Sequence, residues 1–282
     1  MSKKKKLHDA VPGRDFCRLE NGTLIVARAC SDLRAPYSPD DAIPDILAQV
    51  DHSLALGGKQ YKKRLAAAET ELNLLVREKV LAQKKSVVVV LQGRDGAGKT
   101  GARVRIEAGL DNDAKIFRAF CIGPPSEDER KHPYLWRFVS DALPPVGHLH
   151  VFDRSWAERL LVEPVMKFAT KAEVQASYGE IRTFEWLCEQ QGVILIKLWM
   201  DISYDEQEVR FDKRKADKWW KLSDSDAVAR EHWDDYTWYA NEMFYRTGTD
   251  NSPWHIVSSE DKKYSRVAVL EIINEAIKRA CK

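Results

Sequence analysis

The stretch SVVVVLQGRDGAGKT, residues 86–100, decides the fold, because an apolar run there gives way to a glycine-rich loop. Residues 87–91 are all apolar, which predicts a parallel strand buried on both faces. Gly93, four intervening residues and then Gly98-Lys99-Thr100 form the spacing of a phosphate-binding loop that leads into a helix. The alternative is a glycine-rich turn that binds nothing. The strand, both glycines and the Lys-Thr pair occur together, so we favour the phosphate loop.

The glycines of this loop have a physical purpose. A backbone that wraps around a phosphate takes positive φ angles and lies close to the anion, which a Cβ atom would obstruct. The loop amides, the N-terminus of the following helix and the Lys99 ammonium would then hold the phosphate.

Composition restricts the class of protein. The 282 residues are enough for one large domain, and 45 Lys and Arg against 43 Asp and Glu give a net charge of only +2. This balance predicts no nucleic-acid partner and requires any anion site to be local. Five scattered cysteines without a CxxC pair argue against a disulfide framework and a zinc site. No apolar stretch approaches the length of about 18 residues that a membrane span requires, so we expect a cytoplasmic protein with no membrane partner.

Strands and helices alternate after residue 85. We predict strands at 87–91, 115–121, 148–153, 193–200 and 253–258, and helices at 61–85, 99–110, 127–143, 156–168, 171–191 and 262–280. This pattern predicts an α/β fold with a five-stranded parallel sheet and helices on both faces. Residues 1–40 lack periodicity and predict an irregular N-terminal extension with at most a short hairpin. Residues 41–282 are expected to form the main domain.

A second motif is VFDRSW, residues 151–156, in which Asp153 ends a predicted strand. Ligands collect at the carboxyl ends of parallel strands, so Asp153 is expected beside the phosphate loop, where it can hold Mg²⁺. The alternative is an aspartate that caps the next helix. Arg154 offers a planar guanidinium that suits phosphate oxygens.

A third motif is basic. Residues 208–222 contain six Lys and Arg against three Asp and Glu. Arg210, Arg214, Lys218 and Lys221 recur every three or four residues, so one helical face could present a row of cations. A solvated helix face is the alternative. A row of cations fits a long polyanion better than a single phosphate.

These motifs together resemble a family-2 polyphosphate kinase from about residue 55 to 275. The family loop GRDAAGKG is close to GRDGAGKT at 93–100, and the family motif DRSW is intact at 153–156. Further matches are PSE at 125–127, YLWR at 134–137, YGEI at 178–181, WKLS at 220–223 and PW at 253–254. The loop alone occurs in many proteins, whereas this ordered set is specific.

The resemblance implies Mg²⁺-dependent transfer of a phosphoryl group between inorganic polyphosphate and a nucleotide. It also implies a three-layer, P-loop kinase-like sandwich with a helical lid at about 205–245, and assembly as a homo-oligomer, a dimer or tetramer. The implied catalytic residues are Asp95, Lys99, Asp153 and Arg154, and the implied metal ligands are Asp95, Asp153 and Thr100. The implied phosphate- and polyphosphate-binding residues are Gly93, Arg94, Gly96, Gly98, Lys99, Thr100, Arg154, Arg210, Arg214, Lys218 and Lys221.

Several alternatives stay open at this point. The sequence looks most similar to members that convert AMP to ADP, but members that convert ADP to ATP share the same catalytic residues, and some members accept both nucleotides. Thr100, Ala157 and Pro164 depart from the usual family residues, which allows a noncatalytic polyphosphate-binding subunit. Thr100 alone favours a third alternative, an ATP-dependent kinase of small molecules.

Overall fold

The computed structural model describes residues 8–9, 16–27, 42–140, 142–217 and 230–282. The strands in these residues are β1 (His8–Asp9), β2 (Cys17–Arg18), β3 (Leu24–Val26), β4 (Pro44–Asp45), β5 (Ser86–Gly93), β6 (Phe117–Cys121), β7 (Leu149–Asp153), β8 (Val193–Asp201) and β9 (Trp254–Ser258). The α-helices are α1 (Gly58–Leu74), α2 (Lys99–Gly109), α3 (Trp136–Val139), α4 (Val162–Val165), α5 (Lys171–Gln190), α6 (Tyr204–Asp217), α7 (Trp233–Thr247) and α8 (Lys262–Ala280).

The main sheet of the described residues has seven strands in the order β2-β3-β9-β8-β5-β7-β6. The five strands from β9 to β6 run parallel, and they are the five that the sequence predicts. The predicted count of five is nevertheless wrong, because β2 and β3 add an antiparallel hairpin at the β9 edge. These strands have two and three residues, which is too short for a periodic signal.

Helices cover both faces of the sheet, as predicted. Because side chains alternate along a strand, Val87 and Val89 of β5 pack with α1, α2 and α8, whereas Val88 and Val90 pack with α5 and α7. The result is three layers, and β5, the middle of the five parallel strands, is buried from residue 86 to 92. None of the helices in the described part is long and apolar enough to cross a membrane.

Two predicted helices are broken. Within 127–143 the structure has only a 3₁₀ turn, Glu129–Lys131, and the short α3. Pro133 explains the break, because the residue before a proline avoids helical angles and His132 is extended, at φ −113° and ψ 160°. The predicted helix 156–168 divides into a 3₁₀ turn, Trp156–Leu160, and α4.

The predicted lid at about 205–245 contains α6 at one end and α7 at the other. Residues 218–229 between them lie outside the described residues, and Lys218 and Lys221 are among them.

The transition from β5 into the loop depends on Gly93. Its φ is +145°, and a Cβ atom built there would lie 2.3 Å from the Met200 carbonyl oxygen of the neighbouring strand β8. Gly98, at φ +92°, shares the unusual backbone angle but has open space where a Cβ would be. The loop can therefore lie directly against β8 only because residue 93 has no side chain.

Gly93→Ala should lower the free energy of unfolding by about 3 kcal/mol or more, because neither the φ angle nor the Met200 carbonyl accommodates a Cβ. Gly98→Ala carries only the φ penalty and should cost about 1–2 kcal/mol. Gly123→Ala, with open space and an ordinary φ, is the neutral control. Urea unfolding measures all three, and a Gly93 variant as stable as the Gly123 variant would contradict the argument.

A buried ion pair connects the sheet to the helical layer that contains α5. Lys197 of β8 is fully buried, and its Nζ lies 2.6 Å from Glu185 Oε2 of α5 and 2.7 Å from the Thr247 carbonyl oxygen. Glu185 Oε1 also accepts a hydrogen bond from Trp156 Nε1 at 2.9 Å. The pair therefore connects β8 and α5 with the DRSW motif.

Lys197→Met should destabilise the fold by about 3–5 kcal/mol at pH 8, because it leaves the buried Glu185 carboxylate without its cation. Burial raises the pKa of Glu185, so the loss should be smaller at pH 5.5, where the carboxyl takes up a proton more readily. Adding Glu185→Gln to Lys197→Met should recover stability in urea unfolding. A double variant no more stable than Lys197→Met would refute this account.

Candidate active site

The phosphate loop connects the end of β5 to α2, as the sequence predicts. Gly93, Gly96 and Gly98 have φ angles of +145°, +85° and +92°, and Gly98 is the N-cap of α2. Lys99 Nζ donates to the carbonyl oxygens of Gly93 at 2.8 Å and Arg94 at 3.1 Å. The Lys99 ammonium therefore lies inside the loop, where it is predicted to contact a phosphate.

The DRSW motif brings its first two residues to the same place. Asp153 ends β7, and Thr100 Oγ1 lies 3.5 Å from Asp153 Oδ2. Arg154 has a left-handed φ of +68°, which is uncommon for a residue with a side chain. Its guanidinium donates to Asp95 Oδ1 at 3.1 Å, and Lys99 Nζ lies 4.0 Å from the same oxygen. Five predicted residues, from two segments of the chain, therefore meet at the carboxyl ends of β5 and β7.

These residues face an open cleft of about 550 Å³. Its wall carries many cations and fewer acids. The cations are Lys99, Arg154, Arg210, Lys213, Arg214, Lys262 and Arg266, and the acids are Asp95, Asp153 and Asp217. Such a surface attracts an anion with several charges, and the acids beside the loop supply carboxylate oxygens of the kind that bind a metal cation.

Two of the four cations predicted to form a row, Arg210 and Arg214, lie on the described part of α6. Arg214 lines the cleft as expected. Arg210 lies 7% exposed, and it donates to the carbonyl oxygens of Gly96, Ser259 and Glu260 as well as to Glu206. Its guanidinium therefore holds the loop against α6 and β9, which speaks against the predicted phosphate contact.

Arg94, a predicted phosphate-binding residue, is largely buried in the structure. The residue is 8% exposed, its Nε donates to Asp201 Oδ1 at 3.0 Å, and a terminal nitrogen donates to Thr237 Oγ1 at 2.9 Å. The guanidinium stacks on Trp233, 3.5 Å from the ring centroid. Arg94 thus anchors the loop from behind, and this placement speaks against a phosphate contact by its side chain.

Helix α8 contributes two cations that sequence reasoning missed, Lys262 and Arg266. Burial lowers the pKa of Lys262, and the nearby charges of Arg210, Lys213 and Arg266 lower it further. All four cations line the same cleft, so their positive charges repel one another. Basic residues in the first turns of a closing helix give no sequence signal, since they resemble any solvated helix surface.

Glu158 also lies at the site, although the sequence analysis did not identify it as a candidate site residue. It lies in a smaller recess that shares Asp95 and Arg154 with the cleft and is also lined by Trp233 and Tyr236. Its Oε2 is 4.0 Å from Arg154, whose pKa the Glu158 carboxylate raises. Burial raises the pKa of Glu158 itself and that of Tyr236, the latter to about 12. Arg154 is therefore held between two carboxyl groups, Asp95 and Glu158.

Carboxylate and hydroxyl oxygens at the loop suit a magnesium ion. Asp95, Asp153 and Thr100 supply hard oxygen donors, which Mg²⁺ prefers, and Mg²⁺ in phosphate sites takes only one or two carboxylates from the protein. Among the described residues no cluster of three or more His, Cys, Asp or Glu side chains could hold a metal by itself. The donor set therefore fits a metal that is shared with phosphate ligands.

Comparison with known proteins agrees with this geometry. The family described as Polyphosphate kinase 2 matches residues 55–282. The Polyphosphate:AMP phosphotransferase of Pseudomonas aeruginosa is 38% identical over 84% of this chain and 47% of its own length. The ADP-polyphosphate phosphotransferase 2 of Rhizobium meliloti is 39% identical over 78% of this chain and 71% of its own. The chain spans about half the length of the Pseudomonas relatives that it matches.

Solved structures show the same relationship. The crystal structure of Polyphosphate Kinase 2 from Arthrobacter aurescens superposes with a TM-score of 0.77 at 30% identity, covering 90% of this chain and 92% of that one. A Pseudomonas aeruginosa structure gives a TM-score of 0.80 at 37% identity, covering 83% of this chain and 51% of that one. The loop and the DRSW motif both lie within residues 55–282 that the family matches, so the chain belongs to the polyphosphate kinase 2 family.

Proposed function

We propose that this chain transfers a terminal phosphoryl group from inorganic polyphosphate to a nucleotide, with AMP as the preferred acceptor and ADP as the product. The observation that carries the proposal is the cleft, which Lys99, Asp95, Asp153 and Arg154 line together with the cations of α6 and α8. The names of relatives support it, since they are polyphosphate:AMP and ADP-polyphosphate phosphotransferases.

The loop residues would act by position and charge, in the manner of a P-loop kinase. Phosphoryl transfer needs little covalent help from a protein, so alignment and charge neutralisation supply most of the catalysis. The loop amides would hold the phosphates next to the reacting one. Lys99 and Arg154 would neutralise charge on the transferring group, and the Asp95 carboxylate would orient both cations.

Magnesium would bind at Asp95 and Asp153, with Thr100 as a further oxygen donor. Bound there, it would supply positive charge to the phosphate oxygens during transfer.

The cationic wall accounts for a polymeric donor. Lys213 and Arg214 lie on α6, and Lys262 and Arg266 lie on α8, so two separate helices contribute positive charge to the cleft. A single terminal phosphate needs far fewer cations. Nonspecific charge contacts of this kind would also allow the chain of phosphates to advance after each transfer.

Conversion of ADP to ATP is the second candidate, because a relative of similar identity is named an ADP-polyphosphate phosphotransferase. The noncatalytic alternative has less support, since Asp95, Lys99, Asp153 and Arg154 all lie at the cleft.

We also place the reaction in the cytoplasm, with its pool of AMP and ADP, and in a homo-oligomer. Trp186 and Leu187 on α5 are exposed apolar side chains of the kind that an interface would cover.

Nucleotide turnover tests the proposal. The protein is given Mg²⁺ and polyphosphate with AMP or ADP separately, and products are followed by chromatography. ATP replaces polyphosphate as donor in a parallel reaction. We expect ADP from AMP. If ATP forms from ADP but no ADP forms from AMP, the second candidate replaces the first. Turnover with ATP but not with polyphosphate as the donor would overturn the proposal.

Lys99→Ala and Asp95→Asn should each reduce turnover by about 10²-fold or more, because both groups act on the charge that moves during transfer. Both positions are on the polar loop, so thermal unfolding should change little. Lys59→Ala on the exposed surface of α1 is the matched control and should keep full activity. Wild-type rates in both loop variants would exclude the proposed site.

Lys262→Ala and Arg266→Ala should raise the KM for long-chain polyphosphate by about three- to tenfold, since each removes one cation from the polyanion site. The effect should be smaller with tripolyphosphate and should diminish at high salt. Lys63→Ala, an exposed change on α1, should leave both KM values unaltered. Equal effects on long and short chains would show that α8 does not contact the polymer.

A further inference from the structure

His52 lies directly behind the phosphate loop, in the segment before α1 and before the part of the chain that the family matches, 55–282. Its side chain is 29% exposed and faces two carboxylates. Nε2 is 3.4 Å from Asp201 Oδ2, and Nδ1 is 3.6 Å from Glu260 Oε2. The imidazole thus bridges the ends of β8 and β9.

The first of these carboxylates supports the loop. Asp201 is 2% exposed, and its Oδ1 accepts from Arg94 Nε at 3.0 Å and from Trp199 Nε1 at 2.9 Å. The Arg94 backbone N–H donates to Met200, and its carbonyl oxygen accepts from Ala97 at 3.1 Å and from Lys99 Nζ at 3.1 Å. A shift of Asp201 would therefore be transmitted through Arg94 to the turn of the loop and to Lys99.

The second carboxylate supports the first turn of α6. Glu260 accepts from the Ser203 backbone N–H at 3.0 Å and from Ser203 Oγ at 2.6 Å, and Ser203 Oγ in turn accepts from the Glu206 N–H. The Glu260 carbonyl oxygen accepts from Arg210, which also donates to the Gly96 carbonyl oxygen at 2.9 Å. Glu260 therefore fixes α6 and the far side of the same loop.

We propose that His52, in its protonated form, is a positioning residue that holds these two carboxylates together and so fixes the phosphate loop and the start of α6 for the phosphoryl transfer proposed above. With a neutral imidazole, Arg94 is the one cation of the described residues set against the two carboxylates, whereas an imidazolium contacts both of them and, together with Arg94, balances their charge. The expected effect on the kinetics rests on the proposed function, whereas the expected effect on the structure of the loop rests on these contacts alone.

The groups around His52 set the direction of its pH dependence. Asp201 and Glu260 face it from the ends of β8 and β9, Ser258 Oγ lies 3.5 Å from Nδ1, Arg94 approaches from the loop, and Asp51 is its neighbour in the chain. Asp201, by its hydrogen bond, raises the pKa of His52 above the usual 6.5. A raised pKa means that the stabilisation is complete below the unfolded pKa and is lost as pH rises through the folded one.

The kinetic test compares the wild type, His52→Gln and His52→Lys over pH 5.5 to 8.5 (about one unit below to two units above an ordinary histidine pKa). At low pH, kcat/KM of His52→Gln should fall about three- to fivefold below wild type, and this deficit should vanish at high pH. His52→Lys keeps a charge throughout, so it should match wild type at low pH and exceed it at high pH. A deficit in His52→Gln that is constant with pH would indicate a merely structural role and would overturn the proposal.

A second readout does not require any phosphoryl transfer. Hydrogen exchange of the loop amides, residues 93–99, is compared between variants at the same pH, so that intrinsic exchange rates cancel. His52→Gln should exchange about three- to fivefold faster than wild type at pH near 6 and equally fast near 8.5, as screened ion pairs predict. His148→Gln, at the opposite edge of the sheet just before β7, is the matched control and should exchange like wild type at both pH values.

The two measurements distinguish a failure of the proposed function from a failure of the positioning role. If polyphosphate turnover is absent in wild type but the exchange difference is present, the proposed function fails and the positioning role stands. If loop exchange in His52→Gln equals wild type near pH 6, the positioning role is refuted whatever the activity.

Discussion

The active edge of this protein depends on one buried ion pair, between Arg94 in the phosphate loop and Asp201 at the end of β8. Burial by itself lowers the pKa of Arg94, and Asp201 opposes that shift by charge and hydrogen bond. Because the two residues are 107 positions apart, the pair fixes the loop against a strand formed much later in the chain. With Arg94 anchored behind the loop and Gly93 lying on Met200, Lys99 and Asp95 are left to face the cleft.

The cations of the site therefore divide into two groups. Arg94 and Arg210 direct their guanidinium groups to Asp201 and to main-chain carbonyls, and they give the loop its shape. Lys213, Lys262 and Arg266 line the cleft and give it its positive potential. Arg154 shares the features of both groups, because it donates a hydrogen bond to Asp95 and also lines the cleft. A rigid, oriented set of charges of this kind is what phosphoryl transfer requires, because reorganisation at the moment of reaction would be costly.

Much of this arrangement could be predicted from the sequence. The five parallel strands, the loop and the position of Asp153 follow from apolar runs, glycine spacing and the rule that ligands meet strand ends. The roles of Arg94 and Arg210 could not be predicted, because spacing along a helix or loop does not reveal that a guanidinium finds a buried partner on a distant segment. The two-residue strand β2 and the proline break before α3 are short-range features that longer periodic windows conceal. Glu158 and His52 have no motif of their own, and only tertiary packing brings them to the site.

The proposed transfer of phosphate from the polymer to a nucleotide can be followed through the phosphorus atom that moves. Uniformly ³²P-labelled polyphosphate is incubated with unlabelled AMP, Mg²⁺ and the protein, and the label is then located within the products. The account predicts label in the β-phosphate of ADP and none in the α-phosphate. Label that stays in polyphosphate, or that appears only as inorganic phosphate, would contradict it.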